Sequence, residues 1–467
     1  MRLFFSGTLL LTFFLLFNSF VFPQSTAWDI PESRSAGENI GNGLKAGGEI
    51  LLMNGAFTLI NWATGWPWAV PTPESIRLNL TTPWQWEHED GFIVNQLGHP
   101  FQGSLYFNAG RVNGFGFYEN LLFSAFGSVS WEVFFESNKA AINDFFTTVP
   151  GSLAAGEMSY RLYVEASAAG IPAPLAFILS PAAGLHRLLT GWEPPPASRN
   201  LYELRLLLGL GYAHTRSFLP EGQVFSFDGI YSDIGFKFIY ANPFEQDTNV
   251  PFRHFELAMS YGMQPGVYQE IRTVSDGYLF AFSPLYDSRQ AMSTGLTLNL
   301  DFNSRGKFHI HDSTINQYSN ALNWTFKYRN LLSHDTVMHV KGHGGITFMG
   351  SSKYFSPVMD TELNNFGYGL NSKLFFNLEN PNAGRIEADL YGYILWSYPG
   401  TTYLSSGRVY WLFADLGYSI IVSGRPEAMH VSLGITASLA REWGHFGNFP
   451  DTRKRNDSVK FFAAWNF

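Results

Sequence analysis

A set of polar and charged residues recurs at regular spacing in an otherwise apolar stretch of the chain. The set consists of His99, Arg111, Glu132, Glu136, Asn143, Asp144 and Glu157. Glu132 and Glu136 continue a four-residue spacing that begins at Ser124 and Ser128, which predicts one polar stripe along a helix. Ionised groups inside an apolar bundle are costly unless they are paired, so we expect several of these side chains to meet.

Two interpretations of this polar set remain open from the sequence. In the first it is a hydrolase site for a lipid or a phosphate ester, in which His99 is the acid or base, Glu132 or Asp144 orients it, and Arg111 holds an anion. In the second it is an interior polar network that fixes helix packing, because buried ion pairs also perturb side chains without doing chemistry. The spacing matches no catalytic motif, so no catalytic residue is assigned.

The sequence favours neither a metal nor a cofactor at this set. Acidic residues outnumber cations there, which leaves room for a metal, but one histidine is too few for a typical zinc site. The chain has no cysteine, which excludes disulfides and thiolate ligands. The stretch GNGLKAGG lacks the strand-to-helix context of a phosphate loop. We therefore predict no metal-binding or cofactor-binding residues and leave the cofactor unknown.

The stretches NQLGHPFQGSLYFNAGR, GSVSWEVFFE, INDFFTT and GSLAAGE resemble an uncharacterised family of exported bacterial proteins, domain of unknown function 3943. The resemblance covers roughly residues 74–193. It implies that the following are family positions: His99, Pro100, Tyr106, Asn108, Arg111, Trp131, Glu132, Glu136, Asn143, Asp144, Gly156 and Glu157. It implies no activity, because the family has none assigned.

The elements that would carry these residues are helices. The pattern predicts helices over 42–64, 99–112, 117–137, 140–149 and 152–168, with Pro150 in the first turn of a restarted helix. We therefore expect an α-helical domain over residues 28–195. It would either plug a barrel lumen or lie beneath it in the periplasm.

After the proline-rich stretch GWEPPPASRN the sequence alternates with a period of two, which indicates strands. The last strand carries apolar residues at Val459, Phe461, Ala463, Trp465 and Phe467. Aromatic residues lie near the ends of the apolar faces, as expected where strands meet lipid headgroups. A soluble sandwich shows the same alternation. We predict a mainly β fold, a transmembrane antiparallel up-and-down β-barrel of about twelve strands over residues 196–467.

Export and composition support this interpretation. Arg2, a long apolar stretch and the small residues before Trp28 predict a signal peptide over 1–27, cleaved near Ala27; a retained anchor is the alternative. Charged residues make up only 15 % of the chain, against about 25 % in soluble domains, and aromatics make up 17 %. The net charge of −8 argues against nucleic-acid binding.

We therefore expect a cell outer-membrane protein of a Gram-negative bacterium with a structural or permeability role. Its partners would be outer-membrane lipid and the barrel-assembly machinery, the latter through Phe467. Four polar residues on strand faces, Asn299, Asp301, Lys327 and Glu387, would line the lumen and set what passes. A soluble secreted binding protein is a third possibility, besides the barrel and the hydrolase.

Overall fold

The computed structural model describes residues 36–66, 70–87, 91–196, 200–218, 224–245, 249–307, 314–356, 361–399, 407–424, 429–447 and 449–467. The predicted signal peptide, residues 1–27, lies outside these residues. The chain divides into a helical unit and a strand unit between Asn200 and Leu201.

The helical unit contains seven α-helices in its described part. They are α1 Ala36–Ala63, α2 Pro73–Thr81, α3 His99–Val112, α4 Asn120–Ser130, α5 Ile142–Ala168, α6 Ala173–Leu179 and α7 Pro181–Thr190. Two π-helical turns, Val94–Gly98 and Trp131–Phe135, lie against α3 and α4. Among the described residues, no helix combines the length and apolar character needed to cross a bilayer.

Helix α3 is the centre of the helical unit, since almost every side chain from Gly103 to Val112 is buried. Glycines let its neighbours approach closely. A Cβ atom at Gly103 would lie 2.4 Å from the Thr148 carbonyl oxygen, and one at Gly156 would lie 2.7 Å from the Phe107 ring. Such contacts leave no room for a larger residue, so the helix positions are tightly fixed.

The predicted break at Pro150 is wrong, because α5 runs through it as one helix. Proline removes the hydrogen bond to the Phe146 carbonyl and normally disfavours a helix interior. Close packing on α3 compensates, since Gly151 lies against Pro100 so tightly that a Cβ atom would be 2.9 Å from the Pro100 Cβ. Tertiary contacts override local helix propensity here.

The strand unit is a closed barrel of twelve antiparallel strands, each paired with its sequence neighbours. The strands are β1 Leu201–Phe218, β2 Val224–Tyr240, β3 Phe255–Gln264, β4 Tyr268–Tyr286, β5 Gln290–Lys307, β6 Ile315–Leu331, β7 Val337–Ser356, β8 Thr361–Asn380, β9 Gly384–Ser397, β10 Arg408–Gly424, β11 His430–Phe446 and β12 Phe449–Asn466. The predicted up-and-down barrel, its strand number and the preceding helices are confirmed.

The barrel closes where β1 pairs with β12, in a continuous register from Arg205 opposite Asn466 to Phe218 opposite Arg453. The Phe467 amide donates to the Leu204 carbonyl at 2.9 Å, and the Leu204 amide donates back at 3.3 Å. Closure pairs the first strand with the last, so the sheet has no terminal edge strand.

Alternation along β12 separates two environments, as the sequence indicates. Val459 and Phe461 point outward and are exposed, whereas Phe462 is buried and the Lys460 ammonium lies 2.6 Å from Asp233. β5 differs in part. Its outward-facing Leu298 and Leu300 are buried, so this sector of the outer wall is not exposed.

Candidate functional site

His99 lies between two side chains of α5. Its Nε2 atom is 3.4 Å from Asp144 Oδ1, and its Nδ1 atom is 3.4 Å from Thr148 Oγ1. Burial lowers the pKa of His99 to about 4, so the ring is neutral at pH 7. The contacts then assign the proton to Nε2, facing the carboxylate, and leave Nδ1 to accept from the Thr148 hydroxyl.

Asn143 holds the same carboxylate in place. Its amide nitrogen donates to Asp144 Oδ1 at 2.7 Å, and its amide oxygen accepts from the Glu87 backbone amide at 2.6 Å. His99, Asn143 and Asp144, three members of the predicted polar set, therefore meet in the structure.

Arg111 meets Glu157 in a bidentate ion pair. Its Nε and Nη2 atoms lie 2.8 and 2.9 Å from the two carboxylate oxygens, and its Nη1 atom donates to the Phe115 carbonyl at 3.2 Å. Arg161 Nε also donates to Glu157, at 2.9 Å. One buried carboxylate thus serves two guanidinium groups, and all three nitrogens of Arg111 are engaged within the protein.

Glu132 and Glu136 contact different groups. The Ala141 backbone amide donates to Glu132 Oε2 at 2.8 Å, and the Trp131 indole donates to Glu136 Oε2 at 2.9 Å. These contacts fix the chain between α4 and α5. A catalytic role for any member of the predicted set stays a prediction.

A second polar region lies inside the barrel around Lys327, one of the lumen residues expected from the sequence. Its ammonium is 2.6 Å from His254 Nε2, 2.7 Å from Glu256 Oε1 and 3.0 Å from Asp276 Oδ1. His254 Nδ1 lies 3.1 Å from the Ala241 carbonyl, which identifies Nε2 as the acceptor of a lysine proton.

The donor atoms of His254, Glu256 and Asp276 lie within 4.8 Å of one another, a spacing that suits a metal ion. The Lys327 ammonium contacts all three and takes the place of such a cation. Lys341 adds a second ammonium, 2.6 Å from Glu256 Oε2 and 3.1 Å from Asp276 Oδ2. Two carboxylates are therefore shared between two lysines.

Ion pairs also cross the lumen. Arg272 on β4 lies 2.5 Å from Asp415 on β10, and these strands are on opposite sides of the twelve-strand ring. Arg205 on β1 makes two hydrogen bonds to Glu387 on β9, at 2.8 and 3.0 Å. Contacts of this kind obstruct the lumen at this level.

An aromatic cluster fills the barrel interior on one side of these ion pairs. It includes Tyr354, Tyr391, Tyr393, Trp411 and Phe413, all buried. The Tyr393 hydroxyl donates to Asp301 at 3.0 Å, and the Trp411 indole donates to Glu442 at 3.0 Å. The cluster is thus joined to the charged groups by hydrogen bonds rather than separated from them.

A cavity of about 460 Å³ opens in the strand unit. Its lining includes Arg272 and Tyr391, so the cross-lumen pair and the aromatic cluster border it. Seven cations and seven carboxylates line it: Arg205, Lys237, Arg272, Lys327, Lys341, Arg385, Lys460, Glu203, Asp233, Glu256, Asp276, Glu379, Glu387 and Asp389.

The lumen residues expected from the sequence face inward and are engaged. Asp301 lies 2.5 Å from the Lys373 ammonium, and Lys327 and Glu387 make the contacts described above. Asn299 is buried beside Thr297, which donates to it at 2.8 Å. Other lumen residues were not predicted from the sequence, among them Glu256, Asp276 and Asp415. They show the same pattern as the predicted ones, because each is a single charged residue at an inward position of an alternating strand.

Part of the helical unit matches a known sequence family. Residues 83–173 match the model of the family described as "Domain of unknown function (DUF3943)", which confirms the resemblance. No curated protein sequence matches the chain.

Several solved outer-membrane structures are similar at low identity. The P. putida toluene transporter TodX is 8 % identical over 57 % of this chain and 90 % of its own, with a TM-score of 0.22. A Pseudomonas aeruginosa FadL homologue is 8 % identical over 57 % and 90 %, with a TM-score of 0.23. The COG4313 outer membrane channel of Pseudomonas putida F1 is 6 % identical over 56 % and 95 %, with a TM-score of 0.27. Identities and scores this low assign no function to the chain.

Proposed function

We propose that this chain is an outer-membrane β-barrel protein with a permeability role, and that its lumen admits small polar solutes through a gate. The observation that carries the proposal is a closed ring of twelve strands with apolar side chains exposed outside and paired charges buried inside. The predicted signal peptide and the low charge content support export to a Gram-negative outer membrane.

The outer surface supports a position in lipid. Leu210, Leu416 and Phe461 are 58, 59 and 65 % exposed on strands β1, β10 and β12. A soluble barrel would lose free energy by keeping such side chains in water. Strands of 14 to 20 residues on β5–β12 exceed the roughly 9–11 residues that a tilted strand needs to cross a bilayer.

The lumen supports a gated rather than an open path. The cavity forms a vestibule, and the Arg272–Asp415 pair with the aromatic cluster blocks further passage in this conformation. Breaking the Arg272–Asp415 pair would remove one charged contact across the lumen and leave the Arg205–Glu387 pair in place. The Arg272–Asp415 pair is the gate in this proposal.

The charges that line the cavity indicate which class of solute it would accept. Equal numbers of cations and carboxylates give the cavity no net charge if all are ionised, so neither simple anions nor simple cations are favoured. A zwitterionic or neutral polar molecule satisfies both kinds of group, and a cavity of about 460 Å³ limits its size.

Planar-bilayer recording of the purified full chain tests the proposal. We expect low conductance for the wild type, higher conductance for Arg272→Ala and for Asp415→Ala, and a return toward wild type in the swap Arg272→Asp with Asp415→Arg. Arg216→Ala, at an exposed position of β1, is the matched control and should change nothing. Folded barrels that conduct in none of these forms would contradict a permeability role and leave a structural one.

A hydrolase remains the second candidate, favoured by one observation. An acid, a histidine and a hydroxyl follow one another at Asp144, His99 and Thr148, the order used to activate a hydroxyl nucleophile. Lipid or phosphate-ester turnover that disappears in His99→Ala and Thr148→Ala, with the helical content unchanged, would support it. Unaltered or absent turnover would exclude it.

A further inference from the structure

The polarity of α4 and the π turn that follows it is the reverse of a helix in a water-soluble protein. The exposed residues are Leu121, Leu122, Phe126, Val129 and Phe134, and the buried residues of α4 are Asn120, Ser124, Gly127, Ser128 and Ser130. A helix on the surface of a soluble protein turns its apolar stripe to the core and its polar stripe to water. Here the polar stripe faces the core.

Three members of the buried polar stripe make hydrogen bonds within the protein, whereas Ser128 Oγ and Asn120 Oδ1 have no partner among the described residues. Ser152 donates to Ser124 at 2.7 Å, Asn54 donates to Ser130 at 3.0 Å, and Asn120 donates to the Gly116 carbonyl at 2.7 Å. The hydroxyls of Ser124 and Ser130 and the amide nitrogen of Asn120 therefore do not need water. The arrangement is stable only if the surroundings of the opposite stripe favour apolar side chains.

Charge is absent from the exposed stripe. Between Asn120 and Phe135 the only charged residue is Glu132, and it is 2 % exposed. No charged side chain is therefore exposed along α4 or the π turn that follows it. A surface of this kind matches an uncharged apolar medium rather than a charged or polar partner.

Helix α1 extends the same surface. Gly47 faces Phe126, since a Cβ atom there would lie 3.8 Å from the ring, and Asn54 joins the two helices through its hydrogen bond to Ser130. From Ile50 to Ala63 the helix has no charged residue. Its exposed side chains include Leu51, Leu52, Leu59, Ile60 and Trp62.

We propose that this apolar surface, formed by the exposed side chains of α1 and α4 and the following π turn, is immersed in the acyl chains of a lipid leaflet. No described helix is long and apolar enough to cross a bilayer, so the contact is with one leaflet rather than a span. This placement differs from both positions expected from the sequence, a lumen plug and a periplasmic domain. It does not depend on whether the barrel is permeable.

The absence of cysteine makes a direct test possible, because each introduced cysteine is the only labelling site. The full chain is labelled with a polarity-sensitive fluorophore at Leu122→Cys or Phe126→Cys and reconstituted in phosphatidylcholine–phosphatidylglycerol vesicles. Lys139→Cys is the exposed control and Ser124→Cys the buried control. Far-UV circular dichroism and barrel mobility on unheated gels confirm that each variant is folded.

We expect doxyl-labelled phospholipid to quench most of the fluorescence at positions 122 and 126, while aqueous iodide quenches position 139 and neither agent reaches position 124. Iodide quenching at 122 and 126 equal to that at 139 would overturn the proposal, because the surface would then lie in water. Protection of 122 and 126 from both quenchers would also overturn it, because a protein partner would then cover the surface.

Discussion

The barrel and the helical unit bury polar groups by different arrangements. In the barrel, two lysines share two carboxylates, Glu256 and Asp276, so each ammonium has a second partner if one acid is lost. In the helical unit, Arg111 and Arg161 share the carboxylate of Glu157. Both interiors pair their charges, but the barrel places two carboxylates between two lysines, and the helical unit places one carboxylate between two arginines.

The two units also satisfy their backbones differently. In the closed barrel, the backbone hydrogen bonds of each strand are made with its two neighbouring strands. Each helix makes its backbone hydrogen bonds within itself, and it is held to the next helix by close contacts such as that of Gly103 with Thr148. We therefore expect damage to the helical interior to be local and severe, and damage to the lumen charges to be distributed and mild. Four changes, in order of expected effect, test it.

Glu157→Ala should have the largest effect. It leaves two buried guanidinium groups without their shared anion, which costs about 3–5 kcal/mol of unfolding free energy. The measurement is urea unfolding of the helical signal at 222 nm. Glu74→Ala, at an exposed position of α2, is the control. A loss no greater than that of the control would show that the arginines find other partners.

Acidification should destabilise the helical unit next. The pKa of His99 is about 4 when folded and 6.5 when unfolded, so below pH 6.5 the unfolded chain binds the extra proton and stability falls as pH approaches 4. The loss is about 3 kcal/mol at most. His99→Asn should remove this part of the pH dependence, measured as the unfolding midpoint at pH 7 and pH 4.5. An unchanged pH slope in that variant would assign the dependence to other groups.

Gly156→Ala should cost about 1–3 kcal/mol, because its Cβ would lie 2.7 Å from the Phe107 ring in a packed core. Gly41→Ala is the matched control in α1, where nothing lies within 4 Å of the added atom. That change should stabilise the helix by about 0.5–1 kcal/mol. Thermal melting of both variants checks the sign, and equal shifts would contradict close packing at Gly156.

Asp276→Ala should have the smallest effect, about 1–2 kcal/mol, because Glu256 still contacts both Lys327 and Lys341. The double variant Glu256→Ala with Asp276→Ala should cost more than the sum of the single changes. Barrel unfolding by urea in lipid vesicles measures both. Additive effects would show that the shared carboxylates do not compensate for each other.

Much of the fold follows from local patterns in the sequence. The alternation at Val459, Lys460 and Phe461 assigns each side chain to the outer or inner face, and the spacing from Ser124 to Glu132 assigns one stripe of a helix. The family resemblance over residues 74–193 likewise depends on contiguous stretches. The continuity of α5 through Pro150 does not follow, because packing against Pro100 decided it.

The amino-acid order alone predicts which strand residues face inward and which helix residues share a stripe, because both are set by the periodicity of neighbouring backbone units. The partners of these residues depend on how the elements pack together. Arg272 and Asp415 are 143 positions apart and meet because ring closure puts β4 opposite β10. Arg111 meets Glu157 because α3 crosses α5 at glycines, and no local pattern encodes that crossing.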